Sequence, residues 1–383
     1  MKQISQLLSF VLIISFVACK SNHSSKDQYS LVKTEKTLSF PLDDETRSWF
    51  MTLFPYTDVD GKEYLTFQNG RTNEIQIYEM NSGVPVRKIR PALEGPDGIG
   101  RLFGYYIKDL NNIYTTSIMR PVISLIDSTA KVKERIDFGK CPDGIISFDA
   151  YSISFLYSPI VILDNKMYIV RSVNMAAQPN PVTITIDMQT KEVNLLPFDF
   201  PLTSVSSDKT KNSTTTYYLS RCFDGINFVY SFYFDEDIYV TLPDHQSVRK
   251  IPVKSRYIPG IEYTELKTSG NPMKNEVENP NYGNLIFDPY RDVYYRFAYP
   301  KNEVDMNENF REMWDYGRKI FSIIILNRDF QIIGETLFPE YIYNPGVMFV
   351  RKDGLYISAS HFKNPEYSDD ILKLVCFRLE KNQ

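Results

Sequence analysis

Histidine is scarce in this chain. Three residues in 383, His23, His245 and His361, are too few and too scattered for a zinc centre or a general-base constellation. The two in the body of the chain read as surface histidines. Charge of one sign is lacking as well. The 43 Lys and Arg are interspersed with 47 Asp and Glu, for a formal net charge of −4. That balance gives neither a nucleic-acid footprint nor an acidic-substrate trap. Helical 3.6 periodicity is missing from the body of the chain, which excludes a solenoid of helical repeats.

What is present is repetition. At 43% apolar content the chain can bury a large core as one or two domains. Six times an apolar strand enters an Asp/Asn/Gly-rich turn and an apolar strand carrying a tyrosine leaves it. The copies span Tyr56–Tyr64, Ile107–Tyr114, Ile162–Tyr168, Tyr233–Tyr239, Phe287–Tyr295 and Val350–Tyr356. Their final tyrosines lie 50, 54, 71, 56 and 61 residues apart, by subtracting positions. Each unit continues with further β-branched and aromatic strands, such as 74–80, 122–128, 182–188, 321–327 and 371–379. Four antiparallel strands per unit is a propeller blade.

The sixth unit runs out of chain after 371–379, whereas the strand at 31–40 has no unit of its own. The economical solution is an all-β, six-bladed β-propeller whose last blade is closed by the N-terminal strand, removing the open edge. Two separate β-sandwiches are the alternative. Two insertions interrupt the pattern. Residues 202–216 form a polar Ser/Thr/Lys-rich loop. Residues 302–318 place Met306, Phe310, Met313 and Trp314 at helical spacing, for a short amphipathic helix capping one face.

The N-terminus carries a lysine followed by an apolar stretch at 7–17, too short to span a bilayer comfortably. Phe16-Val17-Ala18-Cys19 resembles the lipobox of bacterial lipoproteins. That resemblance implies a signal peptide over 1–18 and lipidation of Cys19. The polar stretch that follows reads as a flexible tether over 19–30, and the repeats place the propeller domain over 31–383. Lys20 lacks the aspartate of inner-membrane retention, and Ser21-Asn22-His23 lack an acidic surface-export run. The expectation is therefore an outer-membrane lipoprotein facing the periplasm. Export makes disulfides permissible.

The block from Asn281-Tyr282-Gly283 through Phe287-Asp288-Pro289-Tyr290-Arg291-Asp292-Val293-Tyr294-Tyr295-Arg296-Phe297 is similar to one in a Bacteroidetes lipoprotein family of unknown function. The resemblance implies a TolB-like six-bladed propeller and carries over no catalytic residues. Asp127-Ser128-Thr129 also resembles the O-glycosylation signal of exported Bacteroidetes proteins, which marks Ser128.

Glu94–Ile99, Lys140–Ile145 and Arg221–Ile226 share Asp-Gly-Ile before an apolar strand. Equivalent inter-blade loops would bring Asp97, Asp143 and Asp224 to one mouth of the central channel. There they would hold a calcium ion or a cationic or polyhydroxyl ligand. The plainer reading of Asp-Gly is turn chemistry. Arg101, Arg120, Arg171 and Arg221 lie close to these loops in sequence, either to bind an anionic ligand or to neutralise the aspartates. Cys141 and Cys222 occupy matching loop positions and are a candidate disulfide, subject to the ~7 Å Cα limit. Asp58-Val59-Asp60-Gly61 opens like a calcium loop but lacks the glutamate at position twelve, and reads as a turn.

Taken together, the residues point to a lipid-anchored envelope module with its ligand site at the channel mouth. Its partners would be the membrane, an envelope protein or a carbohydrate, and no nucleic acid. No cofactor is expected unless calcium. The rival is a calcium-dependent hydrolase or lactonase of the six-bladed type.

Overall fold

In the computed structural model the apolar strands and their Asp/Asn/Gly turns build six four-stranded antiparallel sheets. The structure describes residues 27–48, 50, 52–117, 120–139, 154, 156–171, 181–201, 219–261, 274, 277–305 and 307–383. The signal peptide, Cys19, most of the tether, Cys141, Asp143, the 202–216 loop and Met306 lie outside them.

A long strand, β1 (Tyr29–Pro41), comes first. The first blade is β2 (Leu53–Thr57), β3 (Glu63–Asn69), β4 (Glu74–Glu79) and β5 (Pro85–Ile89). The second is β6 (Leu102–Asp109), β7 (Asn112–Ser117), β8 (Arg120–Ile126) and β9 (Val132–Asp137). The third is β10 (Val161–Leu163), β11 (Lys166–Val170), β12 (Thr183–Asp187) and β13 (Val193–Leu195). The fourth is β14 (Leu219–Phe223), β15 (Phe228–Phe232), β16 (Asp237–Thr241) and β17 (Val248–Pro252). The fifth is β18 (Asn281–Asp288), β19 (Val293–Tyr299), β20 (Ser322–Leu326) and β21 (Ile332–Leu337). The sixth has only β22 (Asn344–Arg351), β23 (Gly354–Ser358) and β24 (Ile371–Lys381) of its own.

β1 supplies the missing strand. It pairs with β24 from Tyr29↔Lys381 to Pro41↔Ile371, with one bulge between Lys33 and Thr37. The expected closure is present, starting two residues earlier than the expected boundary at 31. Between the blades lie six hydrophobic clusters that join the first to the second blade, the second to the third, and so on round to the sixth and first. A set of six interfaces with no gap is a closed ring.

This packing also explains the uneven alternation in the sequence. A second or third strand of a blade has a neighbouring blade on both faces, so β19 is buried at every residue. Outermost strands face solvent on one side, and β9 alternates accordingly. The repeat tyrosines sit in the inter-blade clusters: Tyr64, Tyr114, Tyr168, Tyr295 and Tyr356.

The fourth unit is read differently in the structure. Asp235 opens the turn between β15 and β16, the second and third strands, so Tyr239 lies on a third strand. The true counterpart is Asp224-Gly225-Ile226-Asn227 between β14 and β15, followed by Tyr230. Tyr230 lies 62 residues after Tyr168 and 65 before Tyr295, by subtraction, which evens out the spacing.

The insertion after β19 forms a helix of about two turns, α1 (Phe310–Tyr316). Asn309 caps it, its side chain accepting from the Arg311 and Glu312 amides. Phe310 and Met313 pack with Val277, Val304, Tyr341 and Phe362 in a small cluster on one face of the ring.

Candidate functional site

The middle of the ring is occupied by the protein's own chain. The segment that leads into the third blade, residues 154 and 156–158, reaches nearly every other blade. Ser154 forms a bridge with Gly104 on β6, and its Oγ donates to the Tyr105 carbonyl at 2.8 Å. Its carbonyl accepts from Thr52 Oγ1, just ahead of the first blade, at 3.4 Å. The Tyr157 carbonyl accepts from the Arg221 amide at 2.6 Å and from Ser220 Oγ at 2.8 Å, both on β14. Leu156 packs against the cluster between the fifth and sixth blades. Gly104 permits the approach. It has φ +113°, and a Cβ there would stand 2.6 Å from the Ser154 carbonyl oxygen.

Of the aspartates expected at the channel mouth, Asp143 lies outside the described residues, and Asp97 and Asp224 are held at different places. Asp97 is exposed and accepts from the Val132 amide at 3.0 Å, which places it against the outermost strand of the second blade. The Pro96 carbonyl beside it accepts from Arg135 on the same strand at 2.6 Å. Asp224 is buried in the inner turn of the fourth blade, two blades away. It accepts from the Ile226 amide at 2.8 Å, the Asn227 amide at 2.6 Å and the Tyr294 hydroxyl, and pairs with Arg328 at 3.1 Å. Burial alone would raise its carboxyl pKa. The Asn227 amide and the Tyr294 hydroxyl outweigh that and hold it below the usual range. Asp-Gly-Ile is thus a turn signal at two unrelated places in the blade. Among the described residues no three His, Cys, Asp or Glu side chains gather as metal ligands would.

The Arg120 side chain lies outside the described ones, and the partners of Arg101 and Arg221 are backbone carbonyls rather than those aspartates. Arg101 is exposed and donates to the Gly70 carbonyl at 2.9 Å. Arg171 is buried at the end of β11. Arg221 is buried between the third and fourth blades, donating to the Pro159 carbonyl at 2.5 Å and lying over the Phe228 ring. The cation that reaches Asp224 is Arg328, which sequence proximity did not suggest. Cys222 is a buried free thiol, its pKa raised by that burial. Asp58 accepts from the Asp60 and Lys62 amides at 3.0 and 2.8 Å and from the Tyr64 hydroxyl, as a turn residue does. Ser128 sits half-buried in the turn after β8, where Asp127 is already bonded to Thr129.

Both histidines expected at the surface are buried, His245 at 1% and His361 at 0% exposure. His245 Nε2 meets the Tyr230 hydroxyl at 2.5 Å, which in turn meets Thr183 Oγ1 on the third blade at 2.7 Å. His361 Nδ1 accepts from the Lys363 amide at 3.1 Å, with its ring against Phe362 and Tyr341. Burial holds each imidazole pKa down, to about 4. An unfolded histidine titrates near 6.5, so between pH 6.5 and 4 only the unfolded chain takes up these protons. Stability is therefore full above pH 6.5 and falls as pH drops through that window, by up to about 1.4 kcal/mol per unit for each ring. His245→Asn keeps a residue that tolerates the local φ of 55°. Thermal melts at pH 7.5 and 5.5 should show a smaller acid loss in this variant than in the parent. An unchanged loss would place the effect elsewhere.

A ring of six radial sheets, closed by its N-terminal strand and crossed near its axis by its own chain, defines a six-bladed β-propeller. The family is more definite. Residues 28–337 match the model of the Domain of unknown function (DUF4221), and the chain belongs to that family. A solved DUF4221 member from Bacteroides vulgatus is 27% identical, covers 94% of this chain and 100% of its own, and superposes with a TM-score of 0.80. A candidate exported protein from Bacteroides fragilis shares the fold at 11% identity and a TM-score of 0.55, covering 94% of this chain and 98% of its own. The calcium-binding protein regucalcin from Agrobacterium tumefaciens is a looser likeness, at 12% identity, 90% and 96% coverage and a TM-score of 0.46. No curated protein matches the chain.

Proposed function

We propose that this DUF4221 propeller is a lipid-anchored binding or scaffold module of the bacterial cell envelope. Cys19 holds it to the outer membrane, facing the periplasm, and an envelope protein or carbohydrate engages the loops of the ring. The filled axis is the observation that carries this reading. Ser154, Leu156 and Tyr157 occupy the position where a central ligand or ion would sit, leaving the outer surfaces and loops for recognition. The rival calcium-dependent hydrolase or lactonase needs carboxylates converging at the entrance. Asp97 and Asp224 are instead committed to different blades.

The test is purification of the full lipidated chain from solubilised envelopes, with a parallel melt in calcium and in chelator. A stoichiometric envelope partner and a melting temperature indifferent to calcium are expected. Asp224→Asn should cost about 1–3 kcal/mol equally in both buffers, because it removes an ionised acceptor from a buried turn. A calcium-dependent rise in melting temperature that Asp224→Asn abolishes would favour the enzyme.

A further inference from the structure

All six blades turn from first to second strand, and the first five from third to fourth, at one end of the ring. Contacts between these turns confirm the shared end. Arg328, in the turn between β20 and β21, reaches both Asp224 and Asp292 in first-to-second-strand turns. Arg351, at the end of β22, meets Glu63 and Asn81 of the first blade.

The N-terminal segment leaves from this same end. β24 pairs with β23 only as far as Phe377↔Leu355, one residue from the turn at Gly354. It then runs on with β1 alone for four more residues, 378–381, past that turn. The ribbon is held by the Gln28 amide on the Ile333 carbonyl at 2.9 Å and by Asn382 Nδ2 on the Asp27 carbonyl at 2.9 Å.

Three inner turns at this end present an apolar apex to solvent: Val59 is 93% exposed, Ile226 57% and Tyr290 49%. Exposed lysines stand in four of the six turns: Lys62, Lys108, Lys166 and Lys352. The carboxylates of Asp224, Asp288 and Asp353 are turned into hydrogen bonds with buried tyrosine hydroxyls, and that of Asp58 with the half-buried Tyr64 hydroxyl. Asp60, Asp164 and Asp292 remain exposed and dilute the positive charge, so the apolar tips carry the contact.

We propose that this end of the ring lies against a lipid surface, with Val59, Ile226 and Tyr290 entering the headgroup layer. The inference rests on the lipid-anchored reading. Eight peptide units separate Cys19 from Asp27, a reach of at most roughly 28 Å however the tether runs. That keeps the departure end of the ring near the bilayer that holds the lipid. Apolar tips ringed by long basic side chains suit such an interface, because lysine stems lie along apolar surface while their heads stay in water. The opposite end, with α1 and the loops between second and third strands, then faces away towards partners.

The experiment uses the full lipidated chain in vesicles containing brominated lipid. A fluorophore is placed at Val59→Cys, or at Ile371→Cys, which begins β24 at the opposite end and is 43% exposed. The parent protein labelled in parallel sets the background. Quenching of at least twofold at position 59 and none at 371 is expected. A chain that floats with vesicles yet shows no quenching at 59, or equal quenching at both positions, overturns the orientation and leaves the anchor standing. A chain whose flotation is absent, or unaffected by Cys19→Ser, removes the anchor and the orientation with it.

Discussion

Arg296→Met should lower stability by roughly 3–5 kcal/mol and the melting temperature by roughly 5–10 °C, the largest loss expected from any single polar replacement in the ring. Arg296 is fully buried in the middle of β19. Among the described residues it forms no direct ion pair, and the Asp235, Asp237 and Glu236 carboxylates act on it only from a distance. Its charge is solvated by the backbone. Nη1 donates to the Glu236 and Val253 carbonyls at 2.7 and 2.6 Å, and Nη2 to the Asp235 carbonyl at 2.6 Å. Nε donates to Ser231 Oγ at 2.9 Å, and the plane stacks on Tyr282 at 3.7 Å. Burial draws the guanidinium pKa down to about 10, so it remains charged at neutral pH. One side chain thus ties the fifth blade to the turn and outer edge of the fourth. Methionine fills much of the volume but strands buried carbonyls, each of which costs about 1–3 kcal/mol when left unmade. Arg296→Lys should recover less than half of the loss, because an ammonium has three donors and no plane to stack. Chemical denaturation with the slope held common to all variants is the measurement. A loss under 1 kcal/mol for methionine would mean that water replaces the guanidinium.

That arginine illustrates what could be read from residues and what could not. Strand identity and blade number followed from local chemistry: β-branched and aromatic runs, and Asp-, Asn- or Gly-bearing turns that bond their own backbone. Closure followed from counting, since one strand too few at the end matched one too many at the start. The fourth blade resisted because it carries two Asp-bearing turns 11 residues apart, at 224 and 235, and local chemistry cannot say which joins the first two strands. Asp97 and Asp224 were grouped for a different reason. Equivalent sequence motifs were assumed to hold equivalent places around the axis. However, Asp97 belongs to an excursion that folds back along β9, whereas Asp224 belongs to a hairpin. The histidines were misread because scarcity and turn-like neighbours suggest solvent. What buries His245 is Tyr230 and Phe228 from the adjacent strand and Thr183 behind them. Arg296 did carry a signal: a charged residue in the centre of Val293-Tyr294-Tyr295-Arg296-Phe297-Ala298-Tyr299 must either break the strand or be solvated from within. The filled axis carried none, since Ser154 and Leu156 look like any loop residues until the ring closes round them.

Removing residues 1–41 should abolish cooperative folding altogether. β1 is the fourth strand of the sixth blade, and without it β24 becomes an open edge carrying a long row of unpaired amides and carbonyls. The loss is also hydrophobic. Leu31 belongs to the cluster between the fifth and sixth blades, and Leu38 and Phe40 to the one between the sixth and first. Each is worth about 1.5–3 kcal/mol in burial alone. A strand that serves two of six interfaces cannot be lost locally, because each blade is held by both neighbours and the ring has no free end to fray. The truncated chain should therefore aggregate, with a broad melt and strong dye binding, while a graded series isolates the cause. Phe40→Ala should cost about 3–5 kcal/mol. Glu35→Ala lies in the exposed bulge between Lys33 and Thr37, where β1 is out of register with β24, and should stay within about 0.5 kcal/mol of the parent. Adding the 27–43 segment as a peptide should restore a sharp transition by pairing with β24. A truncated chain that melts as sharply as the parent would mean that five complete blades and a three-stranded sixth hold the ring unaided, and that the closing strand only covers an edge.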